Sequence, residues 1–104
     1  MRQFEVLRNP NPETAAWAPY LVVLQNDLLR DLRTAVVAPL VRQADFGRAM
    51  QVLNPVFEVQ GEPLVLSTAE LAGVSTAMLG ETVASLADRR TEIIAALDLL
   101  FTGI

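Results

Sequence analysis

The hydrophobic period of this chain changes once, and late. Ahead of about Asp88, apolar residues alternate or run unbroken over short stretches; after it, Ile93, Leu97, Leu100 and Ile104 recur at steps of four, three and four, with Ile94 and Phe101 alongside. Alternation and short apolar runs belong to strands, whereas a 3.6-residue stripe belongs to an amphipathic helix. A chain ordered in this way builds a mainly β fold with one C-terminal helix, an α+β arrangement. Asp88, or Ser85 just before it, is placed to cap the helix start, and Gly103 stands where a helix end favours the left-handed conformation. The stripe predicts that Phe101 packs partly on the chain's own sheet, while Ile104, beyond Gly103, projects.

The strands follow from local chemistry. "QFEVL" alternates as a half-buried strand does, and "NPNPE" at 9–13 is a turn cluster that ends it. "YLVVLQ", Tyr20 to Gln25, is apolar without alternation and suits a strand covered on both faces; "TAVVAPLV" at 34–41 resembles it, but Pro39 lacks a ladder donor and predicts a strand edge, end or bulge. "NDLLRDLR" at 26–33 between them suits one helical turn or an irregular loop, and is read as a loop. "QVLNPVFEVQGEPLVLST" reads as a hairpin turning at Gln60-Gly61-Glu62-Pro63, with Gly61 able to take positive φ. "TAELAGVSTAMLGETV" mixes helix formers with Gly73 and Gly80, and is assigned a loop followed by one short strand.

Composition narrows the chemistry. The 104 residues suit one domain, 1–104, whose modest core would gain from burial between subunits, so a homo-oligomer is expected. Mean hydropathy is +0.35, yet no apolar run approaches the roughly 18 residues of a membrane span. The first residues enter alternation directly, with no basic and apolar leader, which predicts a cytoplasmic protein with no membrane partner. There is no cysteine and no histidine, which removes disulfides, thiolate metal sites and the commonest general base. No cofactor is expected. A net charge of −4 gives no overall electrostatic support for gripping phosphate backbones.

Single residues have bland readings too. Trp17 lies in a Pro- and Ala-rich stretch and is read as a loop or edge aromatic covering the sheet, with a partner contact as the alternative. Met50 and Met78 are taken as core gap-fillers, and Leu28 and Leu29 as a loop plugging the end of a barrel or as a contact surface. Glu81, Asp88 and Glu92 surround the helix start, where acids suit the macrodipole better than they suggest a metal site. Arg89 and Arg90 are read as solvated or locally paired.

Several blocks together resemble the CcdB family of toxins: "VLQND" at 23–27, "APL" near 38, "LNPVFEVQGE" at 53–62, "STAELAGV" at 67–74 and "LGETVASLADRRTEIIAALDLLFTGI" at 79–104. An Asn-Pro-Val strand start, a Gly-Glu turn and a Phe-x-Gly-Ile ending are specific in combination. The resemblance implies an SH3-like barrel or twisted antiparallel sheet of the CcdB and MazF type, with the terminal helix packed on it, in a homodimer. It implies a toxin, without chemistry of its own, that binds the DNA gyrase A subunit and traps the cleaved complex. It also implies neutralisation by a cognate CcdA-like antitoxin, with operator DNA contacted only through the toxin–antitoxin complex.

Carried over residue by residue, the family's gyrase-binding positions are Leu28, Leu29, Asp98, Phe101, Thr102, Gly103 and Ile104. Thr102 stands where the family has Trp, and Asp98 where it usually has Asn. Losing an aromatic anchor costs about 2–4 kcal/mol at an interface, roughly 30- to 1,000-fold in affinity. Two other readings therefore accompany the gyrase poison: a chain that has given up poisoning and serves only as antitoxin-binding or regulatory partner, and an endoribonuclease like the related MazF toxins.

Overall fold

A computed structural model describes residues 1–104. Seven strands form one antiparallel sheet: β1 (Glu5–Arg8), β2 (Tyr20–Val23), β3 (Thr34–Arg42), β4 (Val56–Val59), β5 (Glu62–Leu66), β6 (Ala72–Ser75) and β7 (Thr82–Ser85). Their order is β4-β5-β3-β2-β1-β7, with β6 also paired to β3. Two helices complete the chain, the short α1 (Gln43–Phe46) and the C-terminal α2 (Arg90–Thr102). The mainly β reading with one closing helix holds. The sheet curves into a half-barrel around α2; the turn after β4 touches β7 where Gln60 Nε2 donates to the Val83 carbonyl at 3.2 Å.

Both faces of the central strands are covered, which explains their unbroken apolar runs. Val6, Val22, Ala38, Leu40, Phe57, Leu64 and Leu66 face inward with Ile93 of α2, while Leu7, Val23 and Val37 make a smaller outer cluster with Leu21, Val74 and Leu79. Alternation along each strand delivers neighbours such as Val6 and Leu7 to opposite faces. Buried Phe4 sits at φ 68, and the structure over-determines it: its N–H donates to Val23 O at 2.6 Å and its carbonyl accepts from Leu86 N at 2.8 Å.

Pro39 lies mid-strand, not at a strand edge, end or bulge as expected. On one side β3 pairs with β6 through residue 37 and with β5 from residue 40, so Pro39 falls in the gap between two partners. Its carbonyl, on that same side, accepts from Ser67 N at 3.0 Å, and the missing donor breaks no ladder. The hairpin turns at Gln60 and Gly61, whose φ values of 53 and 78 are the left-handed pair of a type I′ turn.

Three local expectations are corrected. Residues 68–85 hold the strand β6, a 3-10 turn at Thr76–Met78 and then β7, where only one strand was expected; β6 is stabilised by pairing with β3, a tertiary term its Gly-containing sequence does not advertise. Asp27–Leu29 winds into a 3-10 turn. The C-terminal helix begins with a 3-10 turn, Ala87–Arg89, where Ser85 Oγ accepts from Ala87 N at 3.2 Å, and Asp88 makes no cap. Arg89 and Arg90 are locally engaged: Arg89 lies 4.8 Å above the Phe57 ring and pairs with Glu92, and Arg90 lies 5.5 Å from the Phe4 ring and donates to Gln3 Oε1.

Candidate interaction surface

The terminal helix is held on the sheet by its first half only. Ile93 and Ala96 are fully buried and Ile94 and Leu97 pack against the inner core. Leu99 and Leu100 are half-buried, and then the cover ends: Phe101 is 68% exposed and Ile104 91%. Phe101 therefore does not pack on its own sheet as its stripe position predicts, because α2 outruns the sheet beneath it. Ile104 projects as expected.

The end itself is a defined structure. Gly103 adopts φ 75 and ψ 14, and its N–H donates to the Leu99 carbonyl at 3.1 Å, a left-handed helix cap. Thr102 turns its hydroxyl inward to donate to the Asp98 carbonyl at 2.7 Å. That bond spends the Thr102 donor on the helix and leaves its methyl for outside contacts. Asp98 is exposed, beside a shallow depression lined by Arg90, Thr91, Ile94 and Ala95.

A second apolar projection comes from the loop between β2 and β3. Asn26 Oδ1 accepts from Leu28 N at 2.8 Å, and Gln25 Nε2 donates to the carbonyls of Leu29 and Thr34, both at 3.1 Å. These bonds satisfy the loop backbone from within and push its side chains outward. Leu28 is 90% exposed and Leu29 49%, so neither plugs the barrel. Leu32, at 52%, joins them and was missed in the sequence; its spacing four residues after Leu28 was the available signal.

Within one chain these two projections stand apart. The loop is tied through Asp27, which accepts from Gln3 N at 2.8 Å, and Gln3 in turn accepts from Arg90 at the start of α2. Phe101 lies about three helical turns further on. Met50 and Met78 are also exposed, at 59% and 65%, against their reading as core gap-fillers. Trp17, 39% exposed, lies over the outer sheet face, where it lines a groove of about 300 Å³ with Leu21, Val37, Pro39, Val74 and Met78.

Charged groups are dispersed in local pairs rather than gathered. Arg8 meets Glu81 at 3.4 Å, Arg42 pairs with Glu62, and Arg89 grips Glu92 with Nη2 to Oε2 at 2.8 Å. The hydrogen bond from Arg89 holds the Glu92 carboxyl below the usual carboxylate range, and the same bond raises the guanidinium. Glu92 thus occupies the first turn of α2, the placement suited to the macrodipole.

Over residues 3–103 the sequence matches the family model described as CcdB protein. The chain belongs to the CcdB family. No curated protein sequence matches it. Among solved structures, the Mycobacterium tuberculosis toxin MazF-mt6 superposes with a TM-score of 0.73 at 17% identity, over 96% of each chain. At that identity the likeness speaks for the fold: the half-barrel sheet and terminal helix of this CcdB-family chain form a MazF-like scaffold. No helix in it is long and apolar enough to cross a membrane.

Proposed function

We propose that this CcdB-family chain, a single domain over 1–104, is the toxin component of a toxin–antitoxin pair and acts in the cytoplasm by binding DNA gyrase. The observation that carries the reading is the uncovered apolar helix end, Phe101 at 68% and Ile104 at 91% exposure, held in a fixed cap by Gly103. Exposed large apolar side chains on an ordered element mark a contact surface better than a core. In a two-fold homodimer the patch is doubled, and a doubled patch suits a two-fold target such as paired gyrase A subunits. Leu28 and Leu29 of a loop with its backbone bonds already satisfied would extend it. The toxin supplies no chemistry; it holds gyrase with its DNA cut. A CcdA-like antitoxin neutralises it and carries the complex to operator DNA.

A second reading has an observation of its own. Thr102 occupies the family's Trp position and spends its hydroxyl on Asp98 O at 2.7 Å, so the site offers a methyl group where an aromatic anchor is expected. That favours a chain which binds its antitoxin but no longer poisons gyrase. The deciding experiment incubates purified protein with gyrase of its host and supercoiled plasmid, traps with detergent and scores linear DNA, with Thr102→Trp in parallel. Breaks from the wild type support poisoning; breaks from the variant alone support the second reading; none from either refutes gyrase as the target.

A further inference from the structure

β4 ends the sheet, and its pairing shows which of its backbone groups are free. Leu66 N donates to Pro55 O at 3.0 Å, and the two-residue turn makes Val59 and Glu62 a bonded pair, so residues 55, 57 and 59 direct their polar groups to β5. Alternation then turns the N–H and C=O of Val56 and Glu58 outward. Pro63, which has no N–H, stands opposite Glu58, as suits a pair that exchanges no bonds. No strand lies on that outer side of β4.

An open edge is commonly blunted by proline, by charge or by a covering loop. Here the sole charge on the strand is Glu58, exposed and outside every ion pair of the fold. Beside the edge, exposed Met50, Val52 and Val56 join Pro55 and Ala95 of α2 around a hollow of about 530 Å³. Free main-chain donors and acceptors, an apolar hollow and one unpaired carboxylate therefore lie side by side.

We infer that the β4 edge takes up an extended, basic peptide segment of a protein partner as an added strand. Main-chain bonds to Val56 and Glu58 supply affinity, and because the side chains of Val56 and Glu58 share one face of β4, an apolar side chain two residues from the segment's basic one enters the hollow beside Met50, Val52 and Val56. An Arg or Lys opposite Glu58 completes the cross-strand pair. Charge selects this occupant over a second copy: pairing two β4 edges would bring two Glu58 carboxylates onto one short ribbon, with no cation on the strand to offset them. The inference is independent of the gyrase reading, since a chain unable to poison gyrase keeps the same edge.

The test uses the full chain, isotopically labelled, and three seven-residue peptides: acetyl-Thr-Thr-Val-Thr-Arg-Thr-Thr-amide, whose Val and Arg share one face as Val56 and Glu58 do, its Arg-to-Glu counterpart, and a form N-methylated at alternate amides. The basic peptide should slow exchange of the Val56 and Glu58 amides and bind at least about tenfold more tightly than the N-methylated form, the loss expected when main-chain bonds go unmade. Glu58→Pro removes the outward N–H together with the carboxylate and keeps the β5 ladder, so the variant should fold and, measured against Glu58→Gln, which removes the charge alone, lose about the same factor. Glu58→Gln should keep binding but lose the preference for Arg over Glu. Equal binding of the N-methylated peptide, or protection confined to other strands, would overturn the assignment. Protection that rises with protein concentration alone would hand the edge to a second copy and overturn it equally.

Discussion

Phe101→Ala should separate folding from partner binding. Since the side chain is 68% exposed, about a third of it is covered; full burial of a Phe contributes about 1.5–3 kcal/mol, so the variant should lose about 0.5–1 kcal/mol. Ile93, fully buried on the same helix, sets the contrast: Ile93→Ala should cost about 2–5 kcal/mol. In thermal terms 1 kcal/mol corresponds to about 4–8 °C for a domain of this size. Urea unfolding followed by Trp17 emission and far-UV circular dichroism, at two protein concentrations, gives both values. If the helix end joins a homodimer, the wild-type midpoint rises with concentration and that of Phe101→Ala does not. If the helix end instead anchors gyrase, DNA cleavage falls roughly 30- to 1,000-fold while stability barely moves. A loss of about 3 kcal/mol or more, in the range of Ile93→Ala and independent of concentration, would refute the exposed-end reasoning, because it would make Phe101 a core residue; that threshold is about the lower bound for truncating a buried Phe.

Gly80→Ala should destabilise by about 1–3 kcal/mol, as expected for overpacking, because its new Cβ would meet the Arg8 carbonyl oxygen at 2.6 Å and push β7 from β1; chemical denaturation measures it. Gly103→Ala meets no neighbouring atom, so only its positive φ is penalised, at about 1 kcal/mol, and hydrogen exchange should show fraying confined to the last turn of α2. Glu92→Gln removes an exposed i,i+3 pair and should cost a few tenths of a kcal/mol at neutral pH. Because Arg89 lowers the folded pKa of Glu92, that increment is full above the unfolded carboxylate pKa and vanishes as pH falls through the lowered folded value, which denaturation across acid pH would reveal.

Much of the fold was legible because it rests on local chemistry. The hairpin turn needs two left-handed residues and Gln60-Gly61 supplies them; Gly103 caps α2 for the same conformational reason. The unbroken runs in β2 and β3 announced strands covered on both faces. Where reading by pattern failed, the cause was tertiary. β6 exists because β3 offers it a partner, and Pro39 is tolerated mid-strand because two other strands leave a gap beside it. Met50 and Met78 carry an apolar composition that says nothing about which side of the chain water reaches.

The candidate surface divides in the same way. Phe101 and Ile104 belong to one helical stripe in the sequence, and periodicity assigns a stripe to the core. Only the length of the sheet under α2 decides where the core stops, which is after Leu97, and exposure of Phe101 follows from that. Leu28, Leu29 and Leu32 project because Gln25 and Asn26 satisfy the loop backbone from inside, a set of contacts no local pattern encodes. Element type is set by short-range sterics and periodicity, and is written in the chain. Which apolar face meets protein and which meets water depends on distant strands, and only the assembled structure settles it.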